Sequence, residues 1–79
     1  SITINWNQST NKLLVKLPSL QASQSTILTI HDIQGRLVAR NKISQLSNEI
    51  AVPEFTGIAI ITILNDNKIW ESKKVLIMK

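Results

Sequence analysis

No cysteine occurs in the chain, and only one histidine and two glycines do. The absence of cysteine excludes disulfide bonds, cysteine-ligated zinc and a thiol nucleophile. A single histidine leaves no second imidazole for a metal site. Two separate glycines cannot form the glycine-rich loop that cradles a phosphate. We therefore expect no catalytic residues, no metal, no cofactor and no enzymatic activity.

Long hydrophobic runs are also missing. The longest apolar stretch, residues 58–61, continues after Thr62 only to residues 63–64, whereas a transmembrane helix needs about 20 apolar residues. The first residues lack the basic start and the apolar stretch of a secretory signal peptide. Because the sequence starts abruptly at a predicted strand, we interpret residues 1–79 as a single domain and as a fragment of a larger secreted protein.

Aromatic residues are scarce, whereas nine Lys and Arg residues give a formal net charge of +4. A basic balance favours an acidic partner such as nucleic acid, anionic lipid or acidic polysaccharide, and it also serves solubility alone. Nucleic-acid binders commonly interleave basic side chains with stacking aromatics. Here Trp6, Phe55 and Trp70 are widely spread, so we do not expect a nucleic-acid partner.

Ile, Leu and Val are abundant and recur in short alternating runs bounded by polar and turn residues. Such runs are typical of strands with one buried face. They predict strands at residues 2–5, 12–17, 26–31, 36–43, 48–52, 57–64 and 69–78. Seven short strands separated by turn signals indicate an all-β fold, an immunoglobulin-like antiparallel β-sandwich.

The alternation also predicts which side chains face the core. The strand at 57–64 is hydrophobic on both faces, so we expect it to be central and covered on both sides. Regular alternation places Leu37 inward. The same alternation places Ile69 on the same face of the last strand as Val75 and Ile77.

The stretch Asp32-Ile33-Gln34-Gly35 predicts a tight corner between two strands. Asp favours the first position of a type I turn because its carboxylate accepts backbone N–H groups further on. Glycine in the fourth position supplies a positive φ, which closes a hairpin with a glycine bulge. His31 and Asp32 are neighbours in a strand, so their side chains leave opposite faces and cannot pair.

Basic side chains form rows along predicted strands. Arg36, Arg40 and Lys42 are candidates for binding an anion, such as lipopolysaccharide phosphates or acidic sugars. Lys12 and Lys16 form a second row. The alternative interpretation is that these rows are solvated faces that keep strand edges from aggregating.

Four segments in a fixed order resemble a known family. They are ITINWNQSTNKLLVKL (2–17), IHDIQGRLV (30–38), TGIAIITI (56–63) and SKKVLIMK (72–79). Together they resemble the C-terminal sorting domain of type IX secretion cargo. That family has a hairpin corner of the same pattern, which in this sequence consists of Asp32, Gly35 and Arg36. The chain resembles a divergent member, because residues 5–8 lack the family's proline-flanked segment and Ala59 replaces its usual aromatic residue.

The resemblance implies a signal rather than an enzyme. Such a domain crosses the periplasm and is recognised by the outer-membrane translocon, shuttle proteins and a sortase. The mature cargo then reaches the cell surface, the outer membrane or the medium, joined in typical cases to anionic lipopolysaccharide. The expected recognition strand comprises Lys73, Lys74, Val75, Leu76, Ile77, Met78 and Lys79. As a sheet edge it can pair with a receptor strand.

Three further expectations stay open. The first alternative to a sorting signal is a binding module for anionic lipopolysaccharide or acidic glycan, in a secretion or attachment component from which the domain is not cleaved. The second alternative is a structural accessory domain beside a catalytic domain. Finally, the apolar stretch at 58–64 favours exchange of strands between copies if it is exposed, which predicts a strand-exchanged homodimer.

Overall fold

The computed structural model describes residues 1–21 and 23–79. Ala22, which belongs to the polar link between the second and third predicted strands, lies outside the described residues. The described residues form seven strands and no helix, which confirms the predicted all-β class. The strands are β1 (Thr3–Asn7), β2 (Lys12–Lys16), β3 (Thr26–Asp32), β4 (Leu37–Ile43), β5 (Ser47–Ala51), β6 (Gly57–Asn65) and β7 (Lys68–Ile77).

The strands pair in two antiparallel sheets. One sheet has the order β1-β2-β5 and the other β4-β3-β6-β7. In immunoglobulin lettering, β1, β2 and β5 correspond to A, B and E, and β3, β6 and β7 to C, F and G, with β4 beside C. The chain is therefore an immunoglobulin-like β-sandwich of seven strands, as its sequence predicts.

The core lies between the inner faces of the two sheets. Branched aliphatic side chains alternate along the strands and interdigitate there, as in other sandwiches. The buried set comprises Ile4, Leu13, Val15, Leu17, Leu28, Ile30, Ile43, Ile50, Val52, Ala59, Ile61, Ile63, Val75 and Ile77. Trp6, Phe55 and Trp70 pack against this set from its margin.

Turn residues fix the hairpin between β6 and β7. Between β6 and β7, Asp66 and Asn67 both have positive φ, at 49° and 66°, as a type I′ turn requires. Asp66 also exchanges hydrogen bonds with Ser25. Its Oδ1 accepts from the Ser25 N–H at 2.9 Å, and its own N–H donates to the Ser25 carbonyl at 2.9 Å. This turn is thereby held against the start of β3.

A β-bulge reverses part of the predicted alternation in β4. Ile30 pairs with Ala39, but His31 pairs with Leu37, so Val38 is the extra residue. An extra residue shifts the side-chain alternation by one position. The prediction that Leu37 points inward is therefore wrong: it is 58% exposed.

A second bulge does the same in β7. Ile63 pairs with Glu71 and Leu64 with Ile69, which leaves Trp70 as the extra residue. Ile69 consequently leaves the register of the buried residues Val75 and Ile77 and is 70% exposed. The prediction that these three share one face is wrong, because a strict period of two cannot anticipate a bulge.

The position of β6 is only partly as predicted. It is an interior strand, paired with both β3 and β7. Its inward residues Ala59, Ile61 and Ile63 are fully buried, but Ile58 is 47% exposed and Ile60 is half-buried. The expectation that both faces are covered is wrong, because in a two-layer sandwich each sheet has only one face against the other.

Candidate recognition surface

The last strand, β7, is an edge strand, and the two faces of its C-terminal half differ. Val75 and Ile77 point inward and are 9% and 0% exposed, whereas Leu76 and Met78 are 54% and 48% exposed. On the sheet, β7 pairs only with β6. The predicted recognition strand therefore combines two core residues with two displayed apolar residues at the margin of the larger sheet.

Side chains fasten the β7 edge to the opposite sheet. Lys73 Nζ donates to the Ile4 carbonyl of β1 at 2.8 Å, and Trp6 Nε1 donates to the Met78 carbonyl at 3.0 Å. Lys79 Nζ donates to the Val52 and Pro53 carbonyls. These contacts hold the end of the chain against β1 and the link between β5 and β6. Of the three C-terminal lysines, Lys73 and Lys79 thus have local structural contacts.

The corner after β3 is organised by one carboxylate. Asp32 Oδ1 accepts from the backbone N–H groups of Gln34 and Arg36 at 2.9 Å, and Asp32 Oδ2 accepts from Arg36 Nε at 2.8 Å. The Gly35 N–H donates to the Asp32 carbonyl at 3.0 Å, and Gly35 has φ +85°. These contacts lower the pKa of Asp32, chiefly through the Arg36 backbone N–H and then its side chain.

Asp32→Asn is expected to lower the free energy of unfolding at neutral pH. The folded state stabilises the charged carboxylate, so Asp32 contributes its stability above the ordinary pKa of 3.8. That contribution is lost as the pH falls through the lower pKa of the folded state. The difference in melting temperature between the parent chain and Asp32→Asn should therefore be largest near pH 7 and shrink in strong acid.

Thermal unfolding followed by circular dichroism measures that difference. Glu54→Gln is the matched control, since Glu54 is an exposed residue in the link between β5 and β6. A difference for Asp32→Asn that does not depend on pH would contradict the role given to its charge.

The structure brings together two of the three candidate anion-binding residues. Arg40 pairs with Thr29 and Lys42 with Ile27, so both face outward from β4. Arg36 lies at the corner, where its Nε is held by Asp32. The Arg36 side chain is 75% exposed and contacts Asp32 through Nε, and anion binding by this set stays a prediction.

The outward side of the larger sheet is the main feature that the sequence prediction missed. Paired residues in an antiparallel sheet share a face, so the register defines this side, here called the apolar outer face. Its members are Leu37, Arg40, Lys42, Ile27, Thr29, His31, Ile58, Ile60, Thr62, Leu64, Ile69, Ser72, Lys74 and Leu76. The hydrophobic pattern of β6 on both faces was the available signal.

The outward side of the smaller sheet is different in character. Its members, here called the polar outer face, are Thr3, Asn5, Asn7, Lys12, Leu14, Lys16, Ser47, Glu49 and Ala51. Leu14 is its only large apolar side chain, and it is half-buried. Exposed apolar area is thus concentrated on one side of the sandwich, which is a common mark of an interaction surface.

His31 and Asp32 lie apart, as predicted from their adjacent positions in a strand. His31 is paired with Leu37 and Ile60 on the apolar outer face, whereas Asp32 faces Arg36 at the corner. Within the described part of the chain, no three His, Asp or Glu side chains gather where they could hold a metal ion. None of the described residues forms a helix long and apolar enough to cross a bilayer.

Comparison with protein-family models, curated proteins and solved structures finds no match for this chain. The resemblance to type IX sorting domains therefore stays a prediction from the four ordered segments.

Proposed function

We propose that the chain is a non-catalytic sorting domain that directs an attached protein through type IX secretion. The observation that carries the proposal is the edge strand β7, which buries Val75 and Ile77 and displays Leu76, followed directly by the exposed Met78. Such a strand offers a receptor both backbone groups and alternate side chains. The type IX pathway is inferred from the four ordered segments that resemble its sorting domains.

In this proposal the corner is structural. Gly35 and Arg36 donate hydrogen bonds to Asp32. The corner therefore fixes the β3–β4 hairpin rather than carrying out a reaction. Recognition falls to β7 and to the surface beside it.

The proposed partners are the outer-membrane translocon, its shuttle proteins and a sortase. The domain would pass through the periplasm and reach the cell surface, the outer membrane or the medium with its cargo. Direct binding of anionic lipopolysaccharide or acidic glycan by Arg36, Arg40 and Lys42 is the alternative, and the shared outward side of Arg40 and Lys42 on β4 favours it.

Fusion of the chain to a periplasmic passenger tests the proposal. We expect the passenger to appear at the cell surface or in the medium of a bacterium with an intact type IX pathway. It should stay in the periplasm of an otherwise identical strain that lacks the translocon. Immunoblots of fractionated cells measure the distribution.

Removal of residues 75–79 is expected to abolish export while leaving the passenger folded. Because this deletion also removes the buried Val75 and Ile77, the matched control is Ile61→Ala, which disturbs the core and keeps the displayed residues. Export that is independent of the translocon, or normal export of the truncated fusion, would contradict the proposal.

A further inference from the structure

The apolar outer face carries charges of only one sign. Arg40 and Lys42 lie on β4 at one edge, and Lys74 lies on β7 at the other. No outward position of these four strands holds a carboxylate. On β3 and β6, between the edges, the side chains are mainly Ile and Leu, and Ile58 is about half exposed; Leu76 on β7 is also about half exposed.

We propose that the apolar outer face binds an amphipathic α-helix of a partner protein. The helix would carry an apolar stripe along β3 and β6 and carboxylates on both flanks. This inference goes beyond export and does not depend on it, because it rests only on the distribution of charge and apolar area. Helices commonly cover the exposed apolar face of a sheet in layered folds.

The width of the face fits one helix. Three strand spacings of about 4.8 Å place β4 and β7 about 14 Å apart, and a helix with its side chains is about 10–12 Å across. A helix above β3 and β6 would therefore bring its flanks to Arg40 and Lys42 on one side and to Lys74 on the other. Carboxylates at those flanks would complement all three cations.

The length of the apolar outer face also fits one helix. From Ile58 to Leu64 the apolar outward positions of β6 extend about 20 Å, the length of about 13 helical residues. Thr29 and Thr62 form the middle row. Thr29 is buried and Thr62 is half-buried, so an apolar side chain of a helix would meet this row at Thr62, whose side chain is smaller than those of Ile60 and Leu64 beside it.

A second copy of the chain is a poorer occupant. Two such faces would bring Arg40, Lys42 and Lys74 of one copy against the same cations of the other, in a chain that already carries a net charge of +4. Like charges brought together across an interface oppose association.

A lipid surface is also a poorer occupant. None of the outward positions of the four strands is Trp, Tyr or Phe, whereas Trp and Tyr are enriched where proteins meet the membrane interface. The hydroxyl groups of Thr62 and of its pairing partner Ser72 would have to enter the bilayer, at a cost in hydration.

Methyl NMR of the isotopically labelled chain tests the inference with a synthetic probe. The probe is a helical peptide of about 18 residues with a leucine stripe flanked by glutamates, and its control has lysine in place of every glutamate. We expect the glutamate peptide to shift the methyl signals of Leu37, Ile58 and Leu76 and to bind less tightly as salt rises. The lysine peptide should not bind.

Paired charge reversals locate the binding surface. Arg40→Glu with Lys74→Glu should weaken binding about tenfold or more. Lys12→Glu with Lys16→Glu makes the same change in net charge on the polar outer face and should leave the affinity within about twofold. If the first variant loses its folded spectrum, Arg40→Gln with Lys74→Gln replaces it and should also weaken binding.

Four outcomes would overturn the inference. One is an equal loss of affinity in the two charge-reversal variants. Another is methyl shifts confined to the polar outer face. A third is self-association of the chain through the apolar outer face in sedimentation experiments. The last is binding to phosphatidylglycerol vesicles, but not to phosphatidylcholine vesicles, without binding to the glutamate peptide.

Discussion

Ile61→Ala is expected to lower the free energy of unfolding by about 2–5 kcal/mol. Ile61 is 0% exposed on the interior strand β6, where it pairs with Ile30 and Lys73. The variant loses buried apolar area and leaves a cavity that a close-packed core fills only in part. A domain of this size has a total stability of about 4–12 kcal/mol, so this one change removes a large fraction of it.

Denaturant unfolding measures this loss as a lower midpoint with an unchanged slope. Ile58→Ala is the matched control, because Ile58 lies on the same strand but faces outward and is 47% exposed. We expect the control to cost less than about 1 kcal/mol. Equal losses at the two positions would contradict the assignment of the core to one face of β6.

Leu76→Ser with Met78→Ser is expected to reduce export of the fused passenger about tenfold or more, because a few displayed apolar residues dominate recognition. Both side chains are about half exposed, so the folded domain should persist. This variant separates recognition from folding, which deletion of residues 75–79 cannot do because it also removes Val75 and Ile77.

Leu46→Ser provides the control for that experiment. Leu46 is 50% exposed in the link between β4 and β5, so its replacement removes a similar apolar area away from β7. Export of the Leu46→Ser fusion should equal that of the parent. Normal export of the Leu76→Ser, Met78→Ser fusion would assign recognition to another surface.

Most of the fold was predictable from the sequence. Alternating Ile, Leu and Val located all seven strands, and turn residues such as Asp32 and Gly35 marked where hairpins close. The two errors in side-chain direction occur at Leu37 and Ile69, each beside a bulge. A bulge depends on how two distant strands pair, so local alternation contains no sign of it.

The candidate surface was less predictable than the fold. The apolar outer face gathers residues from four strands, and its composition follows from pairing register rather than from any contiguous motif. The contact between Trp6 and the Met78 carbonyl joins residues far apart in the chain. Only the excess of apolar residues in β6 indicated an exposed apolar face. The sequence prediction instead interpreted that excess as a sign that both faces of β6 are covered.

Site-specific photo-crosslinking from position 76 during export tests the central claim most directly. A crosslinking residue at Leu76 should capture a component of the secretion machinery in cells with the intact pathway. The same residue at Leu46 should capture none, although the two positions are similarly exposed. Equal crosslinking from both positions, or none from position 76 while the passenger is exported, would contradict recognition through β7.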